Sequence, residues 1–170
     1  ELEGVRDHWA VVGRRLTEDD RLRVQRTWLW GKETRRGALL LHFAAAGTVR
    51  GETKPIDPTF VPGTAFDGTL VFFPSAAPLR AIVKERTVAV EWPSGIGYAD
   101  ISDAVTATAG ADARMPWLEG HPVLLREAMP TTLTPAQVRD ANGRTMPLSA
   151  RFRDRWRLLA GSGGAAVPLF

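Results

Sequence analysis

Hydrophobic residues near the start of the chain recur at the spacing of one helix face. Val5, Trp9, Val12 and Leu16 follow one another at intervals of four, three and four residues. Residues at these intervals lie on one side of an α-helix, where they can pack against a core. The polar cluster at Thr17–Asp20 follows directly. The pattern therefore predicts an amphipathic helix at the N terminus that ends at this cluster.

From Leu22 onward the hydrophobic period changes to two, as in a β-strand with one buried face. The positions on the predicted buried face are Leu22, Val24, Trp28 and Trp30. Those on the predicted solvent face are Arg21, Arg23, Gln25 and Thr27. Arg26 is the one polar residue in the apolar phase. The pattern predicts a half-buried strand whose tryptophans belong to the core.

Further strands are predicted between turn signals that contain glycine and proline. They span Ala38–Phe43, Thr64–Phe73, Leu79–Lys84 and Val88–Trp92. An alanine- and aspartate-rich stretch at Tyr98–Arg114 then predicts a helix, with Ile101 and Val105 turned inward.

The last third of the chain returns to β character. Val123–Ala128 is a predicted strand, and Asn142-Gly143 marks a hairpin turn in which both central residues need a positive φ. Arg151–Ala160 and Ala165–Phe170 are predicted to pair as a final hairpin around a glycine-rich turn.

Together these elements predict an α+β fold that is mostly antiparallel β. An N-terminal helix precedes it, and one helical insertion separates two sheets. We expect residues 1–170 to form a single β-rich domain, with lobes at 20–92 and 120–170 as its natural subdivision. The chain starts at Glu1, inside the predicted helix, and stops at Phe170, inside a predicted strand. We therefore expect it to be a piece of a longer protein.

The amino-acid composition excludes several kinds of functional site. The chain contains no cysteine, which excludes disulfides and thiolate zinc sites. His8, His42 and His121 are far apart in sequence, so we expect no metal site and no cofactor. The longest apolar runs fall short of the roughly 18–20 residues that span a bilayer, and no signal-peptide pattern opens the chain. A cytoplasmic protein that does not contact a membrane is the expectation.

Catalytic patterns are not found in the sequence. The acidic triplet Glu18–Asp20 follows the predicted helix, as solvated loops often do, and a hard cation needs ligands from several segments. His42 stands alone in a predicted strand, and Gly161-Ser162-Gly163-Gly164 lacks the Gly-x-Ser-x-Gly arrangement of a nucleophile elbow. We expect a protein without enzymatic activity.

The one concentrated charge feature lies near the C terminus. Arg151, Arg153, Arg155 and Arg157 outnumber Asp154, so this short segment accounts for the whole net charge of +3. In a strand the four arginines would share one face about 6.6–6.8 Å apart, close to the spacing of phosphates in a nucleic-acid strand. Phe152, Trp156 and Leu158 would lie on the opposite face. The arginines could bind a nucleic acid or an acidic protein, or they could be the solvated outer face of a core strand.

Several motifs, in matching order, resemble one protein family. They are GVRDHWAVVG at Gly4–Gly13, RVQRTWLWGK at Arg23–Lys32, ALLLHFA at Ala38–Ala44, VPGTAFDGTLVFFPSAAPLRAIV at Val61–Val83, PWLE at Pro116–Glu119 and WRLLAGSGG at Trp156–Gly164. In this combination they resemble the C-terminal accessory region of bacterial, largely actinobacterial, SWIM zinc-finger proteins. The resemblance extends along almost the whole chain.

The resemblance implies a role in recognition or scaffolding. The SWIM finger is a Cys-x-Cys…Cys-x-His site, so its zinc and nucleic-acid binding correspond to no residue of this cysteine-free chain. Proteins of this family are often encoded beside AAA-type ATPases and von Willebrand factor A proteins, which implies a protein partner of one of these types. Nucleic-acid binding through the arginines Arg151–Arg157 is the alternative function.

Overall fold

The computed structural model describes residues 3–19, 21–46, 54–118, 120–131 and 135–170. The chain forms two compact units, Glu1–Ser94 and Gly95–Phe170. Each unit has its own antiparallel sheet and its own hydrophobic cluster. The prediction of a mostly antiparallel α+β fold is thus confirmed, as is a helix between the two sheets in the chain order.

The first unit has one sheet of five strands within the described residues, in the order β3-β2-β1-β4-β5. The strands are β1 (Gly4–Asp19), β2 (Leu22–Gly31), β3 (Gly37–Ala45), β4 (Ala65–Phe72) and β5 (Ala81–Val90). All sheet pairings are antiparallel. The edges meet where Leu39 forms a parallel bridge with Arg80 and donates its N–H to the Leu79 carbonyl at 2.8 Å. This contact closes the sheet into a barrel.

The barrel interior is filled by side chains from each of these strands. Trp9, Leu29 and Leu70 are fully buried there, and Phe60 from the loop before β4 joins them. The indole N–H of Trp9 donates to the Gly68 carbonyl at 3.2 Å, so its polar atom is satisfied inside the core. A closed barrel leaves little unpaired strand edge and gives this small unit a complete core.

The predicted N-terminal helix is wrong: these residues form the long strand β1. A β-bulge between Val11 and Gly13 shifts the alternation of its side chains by one residue. Trp9 before the bulge and Leu16 after it therefore face the same side, because Leu16 pairs with Gln25 on the inner face of β2. The bulge reproduces the spacing of a helix face in an extended strand.

The predicted faces of β2 are also reversed. Gln25 and Thr27 are fully buried, and Arg23 is nearly so, whereas Leu22 is 44% exposed and Val24 and Trp28 are only half-buried. Trp30 is buried, as predicted. Polar residues of β2 point inward because the segment 54–60 covers this end of the barrel and bonds to them, as described below.

The second unit contains, among its described residues, two helices and a sheet in the order β8-β7-β6-β9. The elements are α1 (Ile101–Arg114), β6 (Leu125–Pro130), β7 (Gln137–Asp140), β8 (Thr145–Pro147), α2 (Arg155–Ser162) and β9 (Val167–Leu169). The predicted helix is confirmed as α1. Ile101 and Ala104 pack with Leu125, Ala128 and Val138 in the core of this unit. Val105, predicted to face inward, is 53% exposed.

The hairpin at Asn142-Gly143 is confirmed, as the turn between β7 and β8. Its geometry differs from the prediction, because Gly143 has a positive φ of 82° and Asn142 does not. The N–H of Gly143 bonds to the Asp140 carbonyl at 3.1 Å, and the N–H of Asp140 bonds to the Arg144 carbonyl at 2.9 Å. This is a longer turn with glycine in the left-handed position.

The predicted final hairpin is wrong. Residues 151–154 are a turn and an irregular stretch, and Arg155–Ser162 is the helix α2, which ends in a left-handed Gly163 with φ 57°. Glycine at this position is a common helix stop. A short strand, β9, follows and pairs with β6. The alternation of arginines in this segment therefore does not place them on one strand face.

Candidate functional site

The outer side of the barrel presents a band of apolar side chains on β2 and β3. We call this band the outer apolar face; its members are Leu22, Val24, Trp28, Leu39, Leu41 and Phe43. Cross-strand pairing joins Trp28 to Leu39 and Val24 to Phe43. Phe43 is 50% exposed, and the others are half-buried or exposed. Contiguous apolar surface of this kind is typical of interaction sites.

The outer apolar face points outward because the side chains on the opposite side of β2 form hydrogen bonds with residues 54–57. Gln25 accepts the N–H groups of Ile56 and Asp57 at 2.8 and 3.1 Å. Its amide donates to the Asp57 carbonyl at 3.0 Å and to the Thr27 hydroxyl at 3.2 Å. Arg23 donates to the Lys54 carbonyl. These bonds satisfy the polar groups inside, so the apolar phase of β2 faces outward.

Two arginines lie beside the apolar side chains on the same outer surface. Arg15 of β1 stands directly opposite Arg26 of β2, and Arg26 is paired on its other side with Leu41. Arg26 donates to the Thr17 hydroxyl at 2.8 Å. Like charges directly opposite each other in a sheet repel. An anionic group placed over this pair would relieve that repulsion.

The predicted binding residues Arg151, Arg153, Arg155 and Arg157 are all exposed. Arg155 lies with its guanidinium carbon 5.4 Å from the ring centroid of Trp156, and Arg157 lies 3.7 Å from the carboxylate of Asp154. Phe152 is 40% exposed and Trp156 is 63% exposed. The interpretation of this segment as the solvated face of a core strand is therefore wrong, because its aromatic residues are not in a core.

The remaining titratable clusters have structural partners. His42 stacks on Phe60 with ring centroids 5.8 Å apart, and its Nε2 lies 3.5 Å from the carboxylate of Asp57. Burial by itself would raise the pKa of Asp57, but hydrogen bonds from Thr59, followed by electrostatic interaction with His42 and Arg86, lower it. These contacts hold the segment 54–60 against the barrel.

Nothing in the described part of the chain forms a group of three or more histidine or acidic side chains able to hold a metal ion. Asp20 of the acidic triplet Glu18–Asp20 lies outside the described residues. His8 is paired with Asp67 at 3.0 Å and with the Glu91 carbonyl at 3.0 Å, far along the chain from His42.

Sequence patterning missed the outer apolar face because it assigned the β2 members Leu22, Val24 and Trp28 to the core. In β3, alternation places Leu39, Leu41 and Phe43 on one side of the strand and Ala38 and Leu40 on the other, and the sequence has no local signal for which side is outside. The contacts that decide this come from Lys54 to Asp57, about thirty residues downstream of their partners in β2.

In comparisons with known proteins, no protein-family model, no curated protein and no solved structure matches this chain. Among the described residues, neither α1 nor α2 has the length and apolar character that crossing a bilayer requires.

Proposed function

We propose that this chain is a non-catalytic recognition domain that binds a protein partner through the outer apolar face. The observation that supports this function is the exposure of Phe43 and Leu22 on the barrel wall, next to four further apolar side chains. Apolar and aromatic side chains surrounded by polar residues are the usual centre of a protein interface. Aliphatic residues outnumber aromatic ones here, which favours a protein over stacked nucleic-acid bases.

The arginine pair adds a specificity element to the proposed interface. Arg26 lies within the face, between Val24 and Trp28 on β2, and Arg15 lies beside it on β1. A carboxylate of the partner would offset the repulsion between the two arginines. A protein surface with apolar side chains and a nearby aspartate or glutamate therefore fits both parts of this site. A charge at the edge of an interface, such as Arg15, mainly affects the association rate and its salt dependence.

The connectivity of the barrel supports the location of the proposed interface. A five-stranded barrel in this order, closed by a parallel contact between its third and fifth strands, resembles the OB-fold. OB-folds bind their ligands on the outside of the second and third strands. This likeness indicates a place on the surface and not a particular ligand, since one fold hosts many functions.

By its motifs the chain resembles the accessory region of a SWIM zinc-finger protein, and we extend the proposal on that basis. The partner would be an AAA-type ATPase or a von Willebrand factor A protein of the same system, and the complex would assemble in the cytoplasm. The chain would contribute binding surface and no chemistry.

The test measures binding of this chain to a purified AAA-type ATPase and a purified von Willebrand factor A protein of the proposed system. Phe43→Asp should weaken the complex about tenfold or more, because it replaces an aromatic side chain that is 50% exposed on the face with a charge. Arg15→Glu should slow association, most strongly at low salt. Biolayer interferometry gives both rates.

The matched control is Val105→Asp in α1, since the exposed fraction of Val105, 53%, is similar to the 50% of Phe43, and Val105 belongs to the second unit. It should leave binding unchanged, and all three variants should melt like the wild type. Binding that Phe43→Asp does not affect would refute the proposed interface. A homodimer in light scattering that Phe43→Asp dissociates would show that the face binds a second copy instead.

A further inference from the structure

The segment Arg151–Arg157, RFRDRWR, has a surface that neither unit uses for its core. All seven residues are exposed. Trp156 is 63% exposed, so it contributes little of the stabilisation that burial of an indole provides. Two exposed aromatics interleaved with four cations thus make no evident contribution to folding. This combination needs a different explanation from a solvated charged strand.

The cations of the segment are available to a ligand. Arg151 and Arg153 form no ion pair within the described residues, and the Arg157–Asp154 pair is 87% and 65% exposed at its two ends. Exposed ion pairs contribute little stability, so a stronger anion can replace Asp154. Arg155 stacks on Trp156, and an arginine plane beside an indole is a common platform for a base.

We propose that Arg151–Arg157 binds single-stranded nucleic acid. The guanidinium groups would contact phosphates, which they recognise through two parallel hydrogen bonds. Phe152 and Trp156 would stack on bases, which are accessible in a single strand and hidden inside a duplex. A polyacidic protein segment would pair with the arginines but has no apolar or aromatic side chain to cover the two rings. The mixture of residues therefore favours a single strand.

The test titrates the full chain with fluorescently labelled thymidine and uridine 15-mers, a DNA duplex of the same length, and poly-L-glutamate. At physiological salt we expect a Kd on the order of 10⁻⁵ M for the single strands and weaker binding to the duplex and the polypeptide. With three or four phosphates contacted, log affinity should fall against log salt with a slope of about −2 to −3.

Two variants separate charge from stacking. Arg151→Gln with Arg153→Gln should make the salt slope less steep by about 1.4. Trp156→Ala should weaken binding roughly 5- to 150-fold and leave the slope unchanged, because it removes a stacking partner and no charge. Trp117→Ala is the matched control, since Trp117 is 75% exposed in the same unit but outside the segment. It should bind like the wild type.

Three results would overturn the inference. They are a Kd for both single strands poorer than about 10⁻⁴ M, poly-L-glutamate binding as tightly as the single strands, or full affinity in Trp156→Ala. The second result would identify an acidic protein as the partner. The proposal does not depend on the outer apolar face, so Phe43→Asp should leave oligonucleotide binding unchanged.

Discussion

At the scale of single residues, Gln25 links β2 to the segment 54–60 through hydrogen bonds inside the barrel. Its side chain makes four hydrogen bonds, to Ile56, to Thr27 and twice to Asp57, and it is fully buried. Without Gln25, the part-buried backbone groups of Ile56 and Asp57 would lose these partners, and a buried polar group left unpaired costs about 1–3 kcal/mol. Gln25 thereby determines which side of β2 faces the barrel interior.

We predict that Gln25→Ala lowers the free energy of unfolding by about 2–4 kcal/mol, because the N–H groups of Ile56 and Asp57 lose their acceptor. The control Leu22→Ala, at a 44% exposed position of the same strand, should cost less than about 1 kcal/mol. Urea unfolding followed by tryptophan fluorescence measures both. Equal losses in the two variants would contradict the inward orientation of Gln25.

Asp140 is a second buried polar residue whose partners are backbone groups. Its carboxylate accepts the N–H groups of Ile101, Asn142 and Arg144 at 2.9–3.0 Å, and so links the start of α1 to the β7–β8 turn. Burial alone would raise the pKa of Asp140, but these N–H groups and the charge of Arg144 outweigh burial and lower it. The charged form is therefore the one that the fold stabilises.

We predict a pH-dependent effect of Asp140→Asn. A lowered folded-state pKa contributes stability above the unfolded value near ~3.9, and this contribution is lost as the pH falls through the folded-state pKa. The variant should therefore be less stable than the wild type from about pH 5 to 7, and the difference should shrink below about pH 4. Thermal melts across this range test it, with the exposed Asp112→Asn as the control. A difference that stays constant down to pH 2 would refute the assignment.

At the scale of elements, the second unit depends on backbone conformations at its turns. Gly97 precedes α1 with φ 99°, and a Cβ there would lie 2.6 Å from the Leu124 carbonyl oxygen. The neighbouring Tyr98 bonds to this same part of the chain, since its N–H reaches the Leu124 carbonyl at 2.7 Å and its carbonyl accepts from Arg126. Close approach of two backbones thus positions the entry to α1.

We predict that Gly97→Ala destabilises the unit more than Gly143→Ala does. Both positions have positive φ, but a Cβ at Gly143 meets open space, so that substitution should cost only the strain of about 1 kcal/mol. Gly97→Ala adds a backbone clash and should cost at least about twice as much. Melting temperatures of the two variants rank them. The opposite ranking would contradict the close approach at Leu124.

At the scale of the whole molecule, the two units have separate cores and separate candidate surfaces. The barrel packs around Trp9, Leu29 and Leu70, and the second unit packs around Leu125 and Val138. The outer apolar face belongs to the first unit, and the segment Arg151–Arg157 belongs to the second. A domain with its own core can fold independently.

We predict that residues 1–94, produced alone, fold and unfold cooperatively. The reason is that the barrel closes on itself and its core is supplied by its own strands and by Phe60. Circular dichroism in the near ultraviolet, together with a urea titration, measures this. A broad, non-cooperative transition without near-ultraviolet signal would show that the barrel needs the rest of the chain.

Local patterns determined the elements whose signals lie within a few residues. Strands β3 and β4, the helix α1 and the turn at Asn142-Gly143 were predictable because alternation, helix-forming composition and turn residues act on the backbone where they occur. The same patterns identified the apolar residues of the outer apolar face and the four arginines of the exposed segment. They could not say which of these residues would be covered.

Tertiary structure decided the direction of the side chains. In β1 a bulge gives the hydrophobic residues of a strand the spacing expected of a helix. In β2 the hydrogen bonds of Gln25 to the distant segment 54–60 turn the polar side of the strand inward. The residues 155–162 form a helix although their charges alternate as in a strand. The physical reason is the same in these three cases. Burial and backbone pairing depend on partners far along the chain, and the local spacing of hydrophobic residues carries no information about those partners.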